Sequence, residues 1–242
     1  KSNTIKESGE IVVRCSNRYG CDSQRIGQII HFISKKSLNI DGFGEKQVKQ
    51  FYKLNIIKKC EDIFYLHKNK TEIINLEGWG NLSFINLINA IEKSKNITLE
   101  RFIYSLGIRY IGEINSEILA NEFSDIDKLI LAIKNNDRLN NIDGLGPKAI
   151  SSLREYFSNS NNLSSINNLK KILKISNQKK ILKKNFFSNK NLVFTGTLNS
   201  LSRDEAKYLA KSNGAKILSS ISKNTDYLII GDKAGSKEQK AK

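Results

Sequence analysis

The chain has 242 residues, with 40 Lys and Arg against 24 Asp and Glu, a formal charge of +16 and a pI near 9.7. That balance points to a polyanionic partner, nucleic acid first, although abundant Lys, Ile and Asn also fit a base-composition bias, so charge supports a reading and does not establish one. No apolar run is long enough to span a bilayer, no signal peptide opens the sequence, and three cysteines do not make a disulfide framework. These exclusions lead to an expectation of a protein of a reducing cytoplasm, away from membranes. The absence of Met, with Lys at position 1, leads to the expectation that the chain begins inside a longer protein.

Residues 1–34 open with a polar stretch, then a short strand pattern over Ile11–Cys15 and the segment Cys15-Ser-Asn-Arg-Tyr-Gly-Cys21. Gln24 to Ile33 reads as a helix with Ile26, Ile29, Ile30 and Ile33 on one face. Residues 35–175 then carry one phrase four times. Its clear copies are Ile40-Asp41-Gly42-Phe43-Gly44, Leu76-Glu77-Gly78-Trp79-Gly80 and Ile142-Asp143-Gly144-Leu145-Gly146; a looser copy is Gly107-Ile108-Arg109-Tyr110-Ile111-Gly112. The closing glycines recur at intervals of 36, 32 and 34 residues, which means one supersecondary unit used repeatedly.

A helical pattern follows each closing glycine. Its apolar faces are Val48, Phe51 and Tyr52; Phe84, Leu87, Ile88 and Ile91; Ile118, Leu119 and Phe123; and Ala149, Ile150, Leu153, Tyr156 and Phe157. Connecting helices lie between copies, one of them carrying Leu99, Phe102, Ile103 and Leu106, and a last helix is expected from about Leu163 to Ile175. Residues 176–186 read as a basic linker. From 187 to 242 the pattern changes to a buried strand, Leu192–Thr195, a helix capped by Ser202 with Asp204 and Glu205 in its first turn, strands over Ala215–Ser220 and Tyr227–Ile230, and a second helix starting at Ser236. The predicted fold is mainly α, built on four hairpin repeats, with a small N-terminal segment and a truncated C-terminal α/β segment.

The glycine turns carry the chemistry. Glycine lets the chain take positive φ and lets another backbone approach. The first turn of a helix leaves N–H groups unpaired at the positive end of the macrodipole, which makes an anion site without any special side chain. Pro147, the only proline, suits the first helical position after Gly146, and Lys148 adds a charge, as Lys46 does in the first copy. The pattern resembles the helix-hairpin-helix motif of proteins that bind DNA without sequence preference. The resemblance implies phosphate contacts at Gly42, Gly44, Lys46, Gly78, Gly80, Arg109, Gly112, Gly144, Gly146 and Lys148, by backbone contact and not by base reading. The second and third copies depart from the pattern, with Asn81 after Gly80 and a wider glycine spacing, and Trp79 is a candidate core residue.

The order of the pieces extends the resemblance. His31-Phe-Ile-Ser-Lys-Lys36 leading to Gly44, the phrase Leu106 to Glu113, and Leu192-Val-Phe-Thr-Gly-Thr-Leu198 followed by Ser202-Arg-Asp-Glu-Ala-Lys207 are similar to the C-terminal part of bacterial NAD-dependent DNA ligases, the last pair to the start of a BRCT domain. The family carries a four-cysteine zinc finger before its hairpins. Cys15 and Cys21 match its second pair and imply half a zinc site, with the first pair and the adenylation domain expected upstream. Cys60 matches no family ligand and reads as a small buried residue; His31 and His67 read as packing or surface groups. The family nucleophile is a lysine in a Lys-x-Asp-Gly context, whereas both Asp-Gly pairs here carry asparagine, Asn39 and Asn141, at that place. NAD and Mg²⁺ are thus expected to serve the parent enzyme, and this chain to carry no catalytic residue; the resemblance also implies a bacterial, nucleoid-associated protein, expected to be monomeric.

Thr195, the Gly196 amide, Arg203 and Lys237 match positions that hold a phosphate in some BRCT domains, and equally fit a plain strand-ending turn with exposed cations. The expected function is duplex binding, at nicks, for a ligase that joins 5′-phosphate and 3′-hydroxyl ends in replication and repair. The alternatives are a repair or replication scaffold with hairpin and BRCT modules and no catalytic core, and a remnant of a split gene.

Overall fold

The computed structural model describes residues 3–6, 13–17, 20–135, 139–176, 186–188, 190–198 and 200–232. The chain divides into two compact units, 1–177 and 178–242. Ile11, Val12, nearly all of the expected linker and the helix expected at Ser236 lie outside the described residues.

In the first unit two short antiparallel strands, β1 (Thr4–Ile5) and β2 (Arg14–Cys15), precede α1 (Asp22–Ile33). Then come α2 (Glu45–Lys53), a 3-10 helix (Cys60–Asn69), α3 (Lys70–Ile74) and α4 (Asn81–Ser94). A strand, β3 (Asn96–Thr98), leads into α5 (Leu99–Ser105), α6 (Glu113–Glu122) and α7 (Ile126–Asn135). A single 3-10 turn (Leu139–Asn141), α8 (Pro147–Ser158), α9 (Ser160–Ile172) and β4 (Lys174–Ser176) complete the unit. Each hairpin is therefore a helix, a turn and a second helix: α1/α2, α3/α4 and α5/α6, with the fourth turn feeding α8.

One apolar core runs through all of this. Ile29 and Phe32 of α1, Phe51 of α2, Leu87 of α4, Phe102 and Ile103 of α5, Leu119 of α6, Leu129 of α7, Leu153 of α8 and Ile166 of α9 are all 2 % exposed or less. Burying each such side chain is worth roughly 1.5–3 kcal/mol, so the helices are held by their inward stripes more than by intrinsic propensity.

The end of the unit departs from the sequence expectation. The last helix begins at Ser160 and stops at Ile172; Ile175 is not helical. Asn159 Oδ1 accepts from the N–H groups of Asn161 at 2.9 Å and Asn162 at 3.3 Å, a side-chain cap that starts the helix three residues early. Beyond it, β4 pairs in parallel with β3, Asn96 opposite Lys174 and Thr98 opposite Ser176. The hydrogen bonds of that pairing outweigh the helical pattern at Leu173 and Ile175.

The second unit is a three-stranded parallel sheet in the order β6 (Lys216–Leu218), β5 (Asn191–Thr195), β7 (Tyr227–Ile230), with α10 (Arg203–Ser212) crossing from β5 to β6. β5 is central, and Leu192 and Val193 are almost fully buried, as a strand flanked on both edges requires. Ser202 and Glu205 form a reciprocal cap: Ser202 N–H donates to Glu205 Oε2 at 2.8 Å and Glu205 N–H donates to Ser202 Oγ at 3.3 Å.

Candidate nucleic-acid interface

Four turns share one geometry. In each, a backbone N–H closes a four-residue turn just before the closing glycine: Phe43 to Ile40 O at 3.3 Å, Trp79 to Leu76 O at 3.0 Å, Ile111 to Ile108 O at 3.0 Å and Leu145 to Ile142 O at 3.2 Å. The third residue of each turn has positive φ, as a type II turn demands: Gly42 at 75°, Gly78 at 80°, Tyr110 at 62° and Gly144 at 82°. The third copy is thus registered differently from the sequence reading. Its turn glycine is replaced by Tyr110, while Gly107, at φ 65°, ends α5 and lies against the His31 ring. Tyrosine is held in a region costly for a residue with Cβ.

The closing glycines then cap the following helices. Val48 N–H donates to Gly44 O, Phe84 to Gly80 O, Ser116 to Gly112 O and Ile150 to Gly146 O, all within 3.2 Å. At these four glycines φ is −107°, −167°, −85° and −73°, values open to any residue. A methyl added to Gly80, Gly112 or Gly146 would meet no atom within 4 Å, and at Gly44 only Gln47 Oε1 at 3.4 Å. The fold itself does not require glycine there. Three other helices are capped by side chains: Asn159 before α9, Ser202 before α10, and Asp125 before α7, whose Oδ1 accepts from Lys128 N–H at 2.8 Å; α1, α3 and α5 begin at Cys21, Asn69 and Thr98 without a side-chain cap. A glycine cap offers no side-chain acceptor, so first-turn N–H groups not taken by a carbonyl stay open to an outside anion; at the fourth turn Ala149 N–H donates to Gly146 O at 3.0 Å and Pro147 carries no N–H.

The turns are presented, not packed away. Gly42, Gly44, Gly78, Gly112, Gly144 and Gly146 are exposed, Gly80 is half-exposed, and Lys46 and Lys148 are exposed beside them. Arg109 is half-buried, its guanidinium 4.7 Å from the centre of the Tyr110 ring, and Lys148 Nζ lies 5.8 Å from the same ring.

The hairpins associate in pairs. Trp79 Nε1 donates to Gln50 Oε1 at 3.1 Å and its ring lies 5.0 Å from Phe51, seating the second turn on α2. Trp79 is therefore a half-buried packing residue. Gly144 sits where a Cβ would come within 2.9 Å of Ile118 Cδ1, seating the fourth turn on α6. Gln50 and Ile118 occupy the same place, six residues after their closing glycines. The first and third hairpins are joined by Lys36 Nζ to Glu113 Oε1 at 2.5 Å, by His31 Nε2 to Tyr104 O at 2.8 Å, and by Arg101, which donates to Ser37 O at 2.8 Å and Lys35 O at 2.7 Å. His31 is thus a packing residue between α1 and α5. By these contacts the hairpins neighbour one another in the order second, first, third, fourth.

The other predicted sites fall as follows. Cys15 and Cys21 are half-exposed. Cys21 caps α1, and the Gln24 backbone N–H holds its thiol below the ordinary value. Two thiols are half of a tetrahedral donor set, and among the described residues no three His, Cys, Asp or Glu stand together, so these residues alone do not close a zinc site. Cys60 is buried, and burial pushes its thiol up. Thr195 is buried at the end of β5. Gly196, at φ 77°, lies so close to Gly231 that an added Cβ would stand 2.4 Å from its carbonyl oxygen. Lys237 and the Arg203 side chain lie outside the described residues. No helix among the described residues is long and apolar enough to cross a membrane.

Comparison with known proteins agrees with this architecture. The family model for the helix-hairpin-helix motif matches residues 101–166, and that for the BRCA1 C Terminus (BRCT) domain matches residues 182–242. The chain is 42% identical over 245 residues to a DNA ligase of Rickettsia bellii (strain OSU 85-389), covering 96% of this chain and 36% of the ligase. It is 43% identical over 234 residues to a DNA ligase of Wolbachia pipientis subsp. Culex pipiens (strain wPip), covering 96% and 36%, and 43% identical over 241 residues to one of Pelagibacter ubique (strain HTCC1062), covering 96% and 35%. The chain thus spans about a third of the length of the curated relatives it matches.

Proposed function

We propose that this chain is the duplex-holding part of an NAD-dependent DNA ligase, gripping sugar–phosphate backbone without reading sequence. One observation carries this reading. Four helices begin at a glycine that is exposed or half-exposed and whose angles any residue could adopt, while α7, α9 and α10 begin at side-chain caps. Glycine there suits something that approaches from outside and takes amides of the first turn, and a net charge of +16 favours an anionic partner. Duplex phosphates recur along a strand, as a row of four such turns requires.

The joining of 5′-phosphate to 3′-hydroxyl ends, with its NAD and Mg²⁺, belongs in this reading to the whole enzyme's adenylation domain. This chain's share is to hold the nicked duplex, as a cytoplasmic monomer. Zinc would need two ligands besides Cys15 and Cys21.

The test is a titration of duplex binding against salt. Lys46, Arg109 and Lys148 together give a slope of log K against log salt of about −2.7 or steeper, at about −0.9 for each neutralised phosphate. Unrelated duplex sequences of equal length should bind alike. A flat slope, or no binding at low salt, rejects the proposal.

A further inference from the structure

The four hairpins differ at one register position. Two residues after the closing glycine stand Lys46, Leu82, Ile114 and Lys148. Leu82 is 73 % exposed and Ile114 is 74 % exposed, the two most exposed large apolar side chains among the described residues. Isolated exposed aliphatics need no explanation. Two at the same place in two repeats, where the other two repeats hold lysine, do need one.

The position is set by the fold. Leu82 and Ile114 are the second residues of α4 and α6, and each helix buries its opposite face, through Phe84 and Leu87 in one and Ser116 and Leu119 in the other. Side chains at this place therefore point past the turn, beside the glycine corner where a phosphate would be held. The neighbour order of the hairpins puts Leu82 next to a lysine turn and Ile114 next to two. Trp79 and Gln50 tie the second turn to the first hairpin, Lys36 and Glu113 tie the third hairpin to the first, and Lys148 reaches the Tyr110 ring of the third from the fourth. Each aliphatic thus lies among cationic turns, on a surface whose charge suits DNA and no apolar protein partner.

A DNA strand presents two chemistries in alternation, an anionic phosphate and a sugar whose C–H face is apolar. We infer that the hairpins divide these between them: the first and fourth pair Lys46 and Lys148 with phosphates, while the second and third lay Leu82 and Ile114 against deoxyribose faces at the edge of the minor groove. This rests on the duplex-binding reading above and adds a division of labour that the repeats alone do not contain. Backbone amides hold phosphate at all four turns, and the side chain two residues on sets whether the contact beside it is ionic or apolar.

The experiment measures anisotropy of a labelled nicked duplex across a salt series for the full chain. Lys46→Ala and Lys148→Ala are expected to flatten the slope by about 0.9 each, since each removes one phosphate neutralisation. Leu82→Ala and Ile114→Ala are expected to weaken binding roughly tenfold at every salt concentration with the slope unchanged, the loss of an apolar contact. Leu82→Met and Ile114→Val should restore most of the affinity. Leu82→Lys and Ile114→Lys should steepen the slope yet bind more weakly than the parent at high salt. The proposal is overturned if the alanine variants bind like the parent, if they change the slope, or if the lysine variants bind more tightly at every salt. Thermal melts check that each variant is folded, and these exposed positions predict unchanged melting. Failure of the parent chain to bind duplex would instead reject the proposed function.

Discussion

The two glycines of one turn predict opposite consequences for the same substitution. Gly144 has φ 82°, and a Cβ there would stand 2.9 Å from Ile118 Cδ1. Alanine in the left-handed region costs about 1–2 kcal/mol, and the Ile118 tip must also move, so Gly144→Ala should cost about 2 kcal/mol of stability. For a unit of this size each kcal/mol shifts Tm by about 2–4 °C, which puts the melt about 4–8 °C lower. Gly146, two residues on, has φ −73° with open space around it. Gly146→Ala loses part of a cap preference, worth about 1 kcal/mol or less, and regains a similar amount by restricting the unfolded chain. Its Tm should stay within about 2 °C of the parent by the same scale. Its effect should appear in binding, because in the proposed reading the new methyl stands beside the corner that holds phosphate. Losing one hydrogen bond to a charged group, about 1.5–3 kcal/mol, weakens duplex affinity by roughly tenfold or more. Calorimetry and duplex titration of both variants separate the cases. If Gly146→Ala is folded and binds like the parent, the closing glycine has no external role and the interface is misassigned. If Gly144→Ala melts like the parent, the turn does not enforce its φ.

Three further outcomes follow from local contacts. Trp79→Ala removes the ring on Phe51 and the hydrogen bond to Gln50, and should cost about 3 kcal/mol, seen as a lower Tm and faster amide exchange in the second hairpin. Asp125→Ala removes the cap of α7 and should cost about 1 kcal/mol at pH 7. The Lys128 backbone N–H holds the Asp125 carboxyl below its ordinary 3.8, so this contribution is full above that value and fades as pH falls through the lowered one. The gap in Tm between parent and variant should therefore narrow on acidification to about pH 2, and a gap that widens refutes the assignment. Gly196→Ala combines left-handed strain with overlap against the Gly231 backbone, about 3 kcal/mol or more together. It should erase the dispersed amide signals of residues 190–232 and leave those of the hairpin unit in place.

Much of this was legible because local chemistry and global structure agree. The apolar stripes of α2, α4, α6 and α8, the Ser202–Glu205 cap and the buried β5 run all follow from residue spacing. In the third hairpin the sequence register is drawn to Gly107, whereas the turn is built on Tyr110. Counting back two residues from each closing glycine finds Gly42, Gly78 and Gly144, and then Tyr110. A tyrosine at positive φ gives no local signal of its own, and only the repeat exposes it. The β3–β4 pairing stayed hidden for another reason. Two three-residue strands with 75 residues between Thr98 and Lys174 carry no alternation long enough to read, and the register is fixed by packing alone.

The same repeat separates what the fold needs from what a ligand needs. A residue the turn requires should vary only as φ permits, and the first glycine does so, yielding once to Tyr110 at a cost in strain. A residue the ligand requires can be one for which the fold has no use, and the proposed reading puts the closing glycine of all four copies in that class. The position two residues later is set by neither: its backbone is ordinary helix, Leu82 and Ile114 there are about three-quarters exposed, and Lys148 meets only the edge of the next hairpin at Tyr110, so in the proposed reading it follows the partner's chemistry. That freedom is what makes the alternation of Lys46 and Lys148 with Leu82 and Ile114 informative about the surface opposite them.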